Sequence, residues 1–335
     1  MSGGGREMRL DPTTRAWILV GKAPQEPEGK QASEGCPFCP GREGETPPTI
    51  AAIAGPDGAW RVRCFADRSP VFRIEGPLDR TGEGLYDRMR NVGAHEVIVE
   101  CREHGRRPPQ FHDAELADVF RLIQARVSGL HRDPRFRYVL LFRNQGPLAG
   151  SLIDHPHSHL VATPVIPRRL EQELRWAKQH FDYKERCLAC DMLHQELRDG
   201  RRLVEVSPTF VAFCPFAPRF PYEIWLFPRR HQHAFARCAP DGEAGLPGLA
   251  ALLRRTLARL EPLVPDYNLV LHDAPNELAE RPAGEWTTLG QDFHWHLEIL
   301  PRTARLARLH REEEFYENPL PPEEAAAALR EVSVQ

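Results

Sequence analysis

The chain has 335 residues, a formal net charge of −3 and eight cysteines. Its length suits two domains, and its charge balance excludes the basic surface that is typical of nucleic-acid-binding and membrane-seeking proteins. We find no signal peptide and no apolar run of transmembrane length, which predicts a cytoplasmic protein whose two Cys-x-x-Cys pairs bind metal rather than form disulfides.

Short runs rich in β-branched and aromatic residues, bounded by Pro, Gly or Asp, predict strands over 16–20, 96–100, 138–142, 160–164, 210–214, 223–227, 268–272 and 296–300. Helical periodicity predicts helices over 113–130, 168–198, 246–263 and 322–332. This succession indicates an α+β fold in which antiparallel sheets carry helices packed on one side.

Cysteine and histidine recur in the same order in both halves of the chain. Each half has a Cys-x-x-Cys pair, then a single His, then a His-x-His pair. Zinc prefers thiolate and imidazole ligands in sets of four. The sequence therefore predicts two metal sites, formed by Cys36, Cys39, His104 and His155 and by Cys187, Cys190, His231 and His294. We expect zinc in the first, and zinc or iron in the second.

A different ligand set competes for the second metal. It consists of Glu171, His272, His294 and His296, and it shares His294 with the cysteine-containing set. The Cys-x-x-Cys pair favours the cysteine-containing set, because paired thiolates are the stronger zinc signal.

Spacing supports a duplicated module. The motif Phe65-Ala66-x-Arg68-x-Pro70 recurs as Phe216-Ala217-x-Arg219-x-Pro221, at the same distance after the second cysteine of its half. The run Glu96–Val99 recurs as Glu223–Leu226, at the same distance before the single His. One insertion after Arg68 accounts for the remaining difference. We therefore predict two tandem modules, residues 1–167 and 168–335, each with its own metal site.

The run His155-Pro156-His157-Ser158-His159 carries the predicted chemistry. Alternate residues of a strand share a face, so its three histidines would point the same way. If His155 binds the metal, His157 is left over, and a neutral imidazole is a good nucleophile near neutral pH. Phosphoryl and nucleotidyl groups are natural targets, with phosphate oxygens held by Asn144, Ser151 and Ser158. The alternative is that all three histidines are ligands or surface residues.

These motifs resemble the galactose-1-phosphate uridylyltransferase family, a branch of the histidine-triad superfamily. The resemblance covers nearly the whole chain and is carried by Arg9–Val20, Cys36–Cys39, Gly93–Glu100 and Asn144–His157. It implies two tandem histidine-triad-like modules and a nucleotidyltransferase of galactose metabolism that works as a homodimer. The substrates would be a UDP-glucose-like nucleotide sugar and a hexose 1-phosphate.

The resemblance also implies roles for particular residues. His157 would take the nucleoside monophosphate, assisted by His159 and Ser151. The substrate-binding residues would be Arg9, Asp67, Asn144 and Ser158. In the second module the third His is replaced by Glu298, which favours a structural role for that copy.

Two features depart from the family. His159 stands where the family usually has Gln, as in hydrolase branches of the superfamily, and the segment 304–318 has no Gly where the acceptor loop usually contains one. Two alternatives therefore stay open. One is a nucleotide-sugar phosphorylase or histidine-triad hydrolase, and the other is a non-catalytic, zinc-stabilised nucleotide-binding protein. The choice between uridine and adenine nucleotides also stays open.

Overall fold

The computed structural model describes residues 6–21, 35–303 and 316–334. The strands are β1 (Glu7–Leu10), β2 (Trp17–Val20), β3 (Thr49–Ala54), β4 (Trp60–Ala66), β5 (Thr81–Glu83), β6 (Tyr86–Arg90), β7 (Ala94–Val99), β8 (Tyr138–Gln145), β9 (His157–Thr163), β10 (Leu203–Val206), β11 (Phe210–Phe213), β12 (Ile224–Pro228), β13 (Tyr267–His272) and β14 (His296–Pro301). The α-helices are α1 (Asp113–Leu130), α2 (Arg168–Lys184), α3 (Leu188–Asp199), α4 (Leu246–Leu260), α5 (Leu289–Asp292) and α6 (Pro322–Glu331).

The predictions of an acceptor loop and of no transmembrane segment are compared with the described residues. Most of the segment 304–318, which the resemblance identifies with an acceptor loop, lies outside the described residues. Within the described ranges, no helix is both long and apolar enough to cross a membrane.

The large sheet is continuous and antiparallel, with the strand order β10-β11-β12-β14-β13-β8-β9-β7-β4-β3. Strands of the first half of the chain occupy one side of the β13–β8 pair, and strands of the second half occupy the other. Counted outward from this pair, both sides have the same order of equivalent strands. The predicted α+β class is confirmed, while the division into modules at residue 167 stays a prediction.

Helices cover the two faces of this sheet differently. Helices α1 and α4 pack together over one face, where they share a core with side chains such as Ile98 and Leu141. This is the one-sided helix layer that the sequence predicts. Helix α3 lies over the opposite face of the second half, where Leu193 packs with Phe213 and Phe227. The first half has no such helix among the described residues, so this face of its sheet is helix-free, and His95, His157 and His159 lie on it beside Phe38.

The helix predicted over 168–198 is two helices. Glu185 has a φ of 55° and ends α2, with its amide donating to the carbonyl of Phe181 at 2.7 Å. Because α3 begins immediately after Cys187, its first turn carries Cys190. The break therefore turns the Cys-x-x-Cys pair toward the sheet, as a straight helix would not.

Strand register corrects the predicted alignment of the two halves. Val97 lies opposite His159 in one half, and Trp225 lies opposite Glu298 in the other. Val97 therefore corresponds to Trp225, and the residue that corresponds to Glu223 is His95. The predicted match of Glu96 with Glu223 is wrong by one residue. Since side chains alternate between faces, that shift moves every side chain to the opposite face.

The match between Phe65 and Phe216 is also wrong. Phe65 pairs with Val97, and the residue paired with Trp225 is Phe213. Burial agrees with this register, because Phe65 is 1% exposed and Phe216 is 75% exposed. The halves are similar in strand order and in their cysteine and histidine positions, whereas the Phe-Ala-x-Arg-x-Pro motif lies at unrelated places in them.

Candidate active site and metal centres

The first Cys–His set converges at the helix-free face of the first half. The ligand atoms of Cys36, Cys39, His104 and His155 lie within 4.8 Å of one another. Three sulfur-to-nitrogen distances in this cluster are 3.6, 3.7 and 3.8 Å. Tetrahedral zinc with its usual bond lengths separates such atoms by about 3.6 Å. These residues therefore fit zinc.

Hydrogen bonding orients the ligands of this cluster. His155 Nε2–H donates to the carbonyl of Cys101 at 2.9 Å, which leaves Nδ1 free to face the thiols. Burial lowers the pKa of His155 to about 4, so the imidazole is neutral as a ligand must be. Burial also raises the pKa of the Cys36 thiol to about 11, so an ion that binds here must displace its proton. Four protein ligands would close the site, which is typical of structural zinc.

The second Cys–His set converges in the same way. Cys190 Sγ lies 3.5 Å from His231 Nδ1 and 3.6 Å from His294 Nδ1, and Cys187 completes the cluster. His231 Nε2–H donates to the carbonyl of Gly290 at 3.1 Å. The donor atoms and their separations again fit zinc.

The competing ligand set is corrected by the structure. His272 and His296 do form a cluster, but their acidic partners are Glu173 and Glu298. Glu171 is not part of it, and His294 belongs to the cysteine cluster. The two sets therefore do not compete. Glu173 lies two residues after Glu171 on α2, and Glu298 lies two residues after His296 on β14.

Arginines neutralise this acidic cluster. Glu298 is 1% exposed and pairs with Arg169 at 2.8 Å and with Arg219 at 2.6 Å. Arg219 also pairs with Glu223 at 2.8 Å. Since buried carboxylates need a partner of opposite charge, these guanidinium groups already satisfy the acidic residues without an ion.

His157 is held in one tautomer. Its Nδ1 lies 2.7 Å from the carbonyl oxygen of His155, an acceptor, so Nδ1 carries the proton. The lone pair of Nε2 is therefore free. Burial lowers the pKa of His157, which keeps the imidazole neutral. Phe38, from the Cys-x-x-Cys turn, packs edge-on against this ring at 5.3 Å between centroids. The turn that carries Cys36 and Cys39 therefore packs directly against the His157 ring.

Beside His157 the structure brings together Asp67, His95 and His159. The ring of His159 is 5.1 Å from that of His157 and stacks on Phe142 at 4.9 Å. His159 Nδ1 lies 3.1 Å from His95 Nε2, and Asp67 Oδ2 lies 3.6 Å from the same His95 nitrogen. Sequence reasoning missed His95, although strand alternation through Val97 would have placed it on this face.

The predicted phosphate contacts occupy different places. Asn144 follows Phe142 by two residues on β8, so it shares the face of His157, where its side-chain oxygen accepts from Asn268 at 2.7 Å. Ser151 lies in the loop between β8 and β9 and donates to the carbonyl of Ile153 at 3.0 Å. Their roles toward substrate stay predictions.

Two predicted substrate residues have partners elsewhere in the structure. The Ser158 hydroxyl donates to buried Glu100 on the helix-covered face, because neighbours along a strand face opposite ways. Its contact with phosphate stays a prediction. Arg9 lies in the separate four-stranded sheet β2-β1-β6-β5, where it pairs with Glu7 at 2.6 Å. The described residues show no contact between Arg9 and the cluster around His157.

Paired half-sheets, each with a histidine strand and a Cys–His cluster, define a tandem histidine-triad-like protein. No family model matches the chain. An ADP-glucose phosphorylase from Arabidopsis thaliana is 28% identical over 342 residues, which cover 98% of this chain and 93% of that protein. A galactose-1-phosphate uridylyltransferase from Thermotoga maritima is 25% identical over 340 residues, which cover 98% of this chain and 99% of that protein.

Solved structures agree. The crystal structure of the Arabidopsis thaliana ADP-glucose phosphorylase with bound ADP-glucose has a TM-score of 0.77 and 26% identity, and it covers 99% of this chain and 100% of that one. The structure of a uridylyltransferase has a TM-score of 0.77 and 28% identity, with 97% of both chains covered. The predicted resemblance to the galactose-1-phosphate uridylyltransferase family is confirmed, as is the prediction of an enzyme of that type.

Proposed function

We propose that this protein transfers a nucleoside monophosphate from a nucleotide sugar to an acceptor through an adduct on His157. The observation that carries the proposal is the 2.7 Å hydrogen bond from His157 Nδ1–H to the His155 carbonyl. It leaves Nε2 as a fixed, neutral nucleophile on the helix-free face of the first half.

The reaction would have two steps. His157 Nε2 attacks the α-phosphorus, a P–N bond forms, and the bond to the sugar 1-phosphate breaks. An acceptor oxygen then attacks the same phosphorus, the P–N bond breaks, and the imidazole returns to its neutral form. Holding the ring in one tautomer between Phe38 and His159 gives the geometric advantage that such transfers need.

The second half lacks the features that suit this chemistry. His296 occupies the position of His157, but its Nε2 is 3.9 Å from Glu298, whose pKa is held well below its usual range by His272 and two arginines. An ionised carboxylate at that place repels a phosphate. Phe227 also stacks on the His296 ring at 4.5 Å. We therefore assign transfer to the first half and a structural role to the second.

Two acceptors are supported by the relatives. The predicted acceptor is a hexose 1-phosphate, in line with relatives named galactose-1-phosphate uridylyltransferase. Inorganic phosphate is the second candidate, because the Arabidopsis thaliana relative is named ADP-glucose phosphorylase. Both candidates share the first step on His157, and they differ only in what removes the nucleotide.

Zinc would have a structural part in this function. Cys36, Cys39, His104 and His155 would hold one ion, and Cys187, Cys190, His231 and His294 a second, with iron as the other predicted occupant there. The first ion would fix the strand that carries His157, since His155 is a ligand and also the carbonyl partner of His157. The homodimer and the cytoplasmic location stay predictions.

The test is the intact mass of the zinc-loaded protein after incubation with UDP-glucose or ADP-glucose and no acceptor. We expect a nucleoside-monophosphate adduct that is lost in His157→Ala. The matched control is His296→Ala, at the equivalent position, which should keep the adduct. Zinc content should not change in His157→Ala. An adduct that survives in His157→Ala contradicts the proposal.

The acceptor is then identified as the compound that removes the nucleotide from His157. Galactose 1-phosphate or inorganic phosphate is added to the isolated adduct, and the released nucleotide is analysed. Free nucleotide released from the donor without any acceptor indicates the hydrolase alternative. Binding of both donors with neither adduct nor release indicates the non-catalytic nucleotide-binding alternative.

A further inference from the structure

The cluster beside His157 contains a hydrogen-bonded histidine, His95, that has no part in the two-step transfer described above. His95, at the start of β7, is buried, with its side chain 8% exposed. Its two ring nitrogens have different neighbours. Nδ1 faces the backbone amide of Val71 at 3.4 Å, and Nε2 faces His159 Nδ1 at 3.1 Å.

The amide of Val71 decides where the proton lies. A backbone N–H can only donate, so His95 Nδ1 must accept. Neutral His95 then carries its proton on Nε2, which points at His159 Nδ1. The opposite arrangement, with the proton on His159 Nδ1, would oblige His95 to carry its own proton on Nδ1, where two donors would face each other.

Asp67 supports the same arrangement. Its Oδ1 accepts from the amide of Ser69 at 2.7 Å, and its Oδ2 lies 3.6 Å from His95 Nε2 and 3.9 Å from His159 Nδ1. A carboxylate favours a proton on the nearer nitrogen, which is that of His95. Burial lowers the pKa of both histidines, that of His159 to about 2, so each ring carries one proton only.

We propose that His95 is a positioning residue that holds His159 in the Nε2–H tautomer, so that His159 donates a hydrogen bond to the phosphoryl group undergoing transfer at His157. His159 Nδ1 is occupied as an acceptor, and Nε2 has no hydrogen-bond partner within the described residues. Stacking on Phe142 fixes the plane of the ring. The catalytic consequence rests on the proposed function, whereas the tautomer does not.

The equivalent positions of the second half carry residues of different chemistry. The residues that correspond to His95 and His159 are Glu223 and Glu298, with Arg219 between them. In the second half two carboxylates surround the guanidinium group of Arg219, whereas in the first half two imidazoles lie beside the carboxylate of Asp67. Glu298, unlike His159, has no proton to donate to a phosphate while it is ionised, in agreement with transfer in the first half only.

The test is a mutant cycle read as the rate of adduct formation from ADP-glucose or UDP-glucose. His95→Leu removes the donor to His159 and should lower the rate roughly tenfold to a hundredfold, which is less than the roughly hundredfold to thousandfold cost of deleting a transition-state donor outright, because His159 itself remains. His95→Gln keeps an amide donor and an acceptor at the same places and should keep most of the rate.

The decisive comparison uses His159→Gln. A Gln amide turns its NH2 toward the phosphate without help, so in this background His95→Leu should cost less than about threefold. Equal losses in both backgrounds would mean that His95 is only a packing residue, and would overturn the proposal.

NMR of the ring nitrogens in the zinc-loaded protein gives an answer that is independent of activity. We expect the His159 proton on Nε2 in the wild type and a mixture of tautomers in His95→Leu. A proton on Nδ1 in the wild type refutes the proposal. So does a third bound metal ion that is lost in His95→Leu, since the three side chains would then be ligands. If no donor forms an adduct, the proposed function fails and the tautomer still decides this inference.

Discussion

A buried ion pair lies directly beneath the strand that carries His157. Arg143 and Glu100 form it across the helix-covered face, with side chains that are 5% and 3% exposed. Glu100 also accepts from the Ser158 hydroxyl, and Arg143 donates to Gln145 at 2.7 Å. Because Ser158 separates His157 from His159, this pair anchors the strand from its far side.

Glu100→Leu should destabilise the protein strongly. It leaves the guanidinium of Arg143 buried without its counter-charge, and breaking a buried pair in this way costs about 3–5 kcal/mol. Glu261 is a further carboxyl that interacts with Arg143, but burial raises its pKa to about 7. Measurements at about pH 6, below that pKa, therefore limit the negative charge that Glu261 can supply.

The assay is urea unfolding of the zinc-saturated protein, followed by circular dichroism. Glu100→Leu and Arg143→Met are compared with the double variant, in which no unpaired charge is left. We expect the double variant to lose at least about 2 kcal/mol less than the sum of the single losses. Asp182→Leu, which breaks an exposed pair with Lys178, is the control and should cost under about 1 kcal/mol. A loss under about 1 kcal/mol for Glu100→Leu, or additive losses, would refute this reasoning.

Two further predictions concern the metal sites and the buried carboxyl. Cys36→Ser and Cys187→Ser should each lower the zinc content by one ion per chain and lower the melting temperature, because structural zinc contributes to folding; zinc analysis that shows no change in either variant would contradict that ligand set. Glu261 has a pKa raised from 4.5 to about 7 by burial, so its contribution to stability is present at low pH and is lost as the pH rises through 7. Glu261→Gln should therefore gain stability relative to the wild type between about pH 5 and about pH 8 in urea unfolding, and a constant difference would show that the folded-state pKa is not raised.

Local sequence patterns predicted much of the secondary structure. The helix over 113–130 and all of the predicted strands are present, with ends that differ by a few residues. The strands that the patterns missed have weaker signals. β3 is Thr-Ile-Ala-Ala-Ile-Ala, and alanine is a poor strand former. β4 alternates arginine with apolar residues, and it is a strand because it pairs with both β3 and β7.

Equivalence between the two halves could not be derived from spacing alone. The repeated Phe-Ala-x-Arg-x-Pro motif and the glutamates Glu96 and Glu223 are at unmatched places, as the correspondence of Val97 with Trp225 shows. Insertions of one to three residues in loops leave the strand order unchanged but alter every spacing. The order is preserved by packing, and the linear distances are not.

By itself, the sequence determined which residues could carry chemistry. The repeated order of cysteine and histidine identified both Cys–His clusters, and alternation along a strand placed His157 beside His159. Only the tertiary structure decided which partners surround them. His95 joins His159, Glu173 joins His272, and Ser158 turns away to Glu100. Those contacts depend on strand register and on where α2 ends, and because side chains alternate, a shift of one residue exchanges the two faces of the sheet.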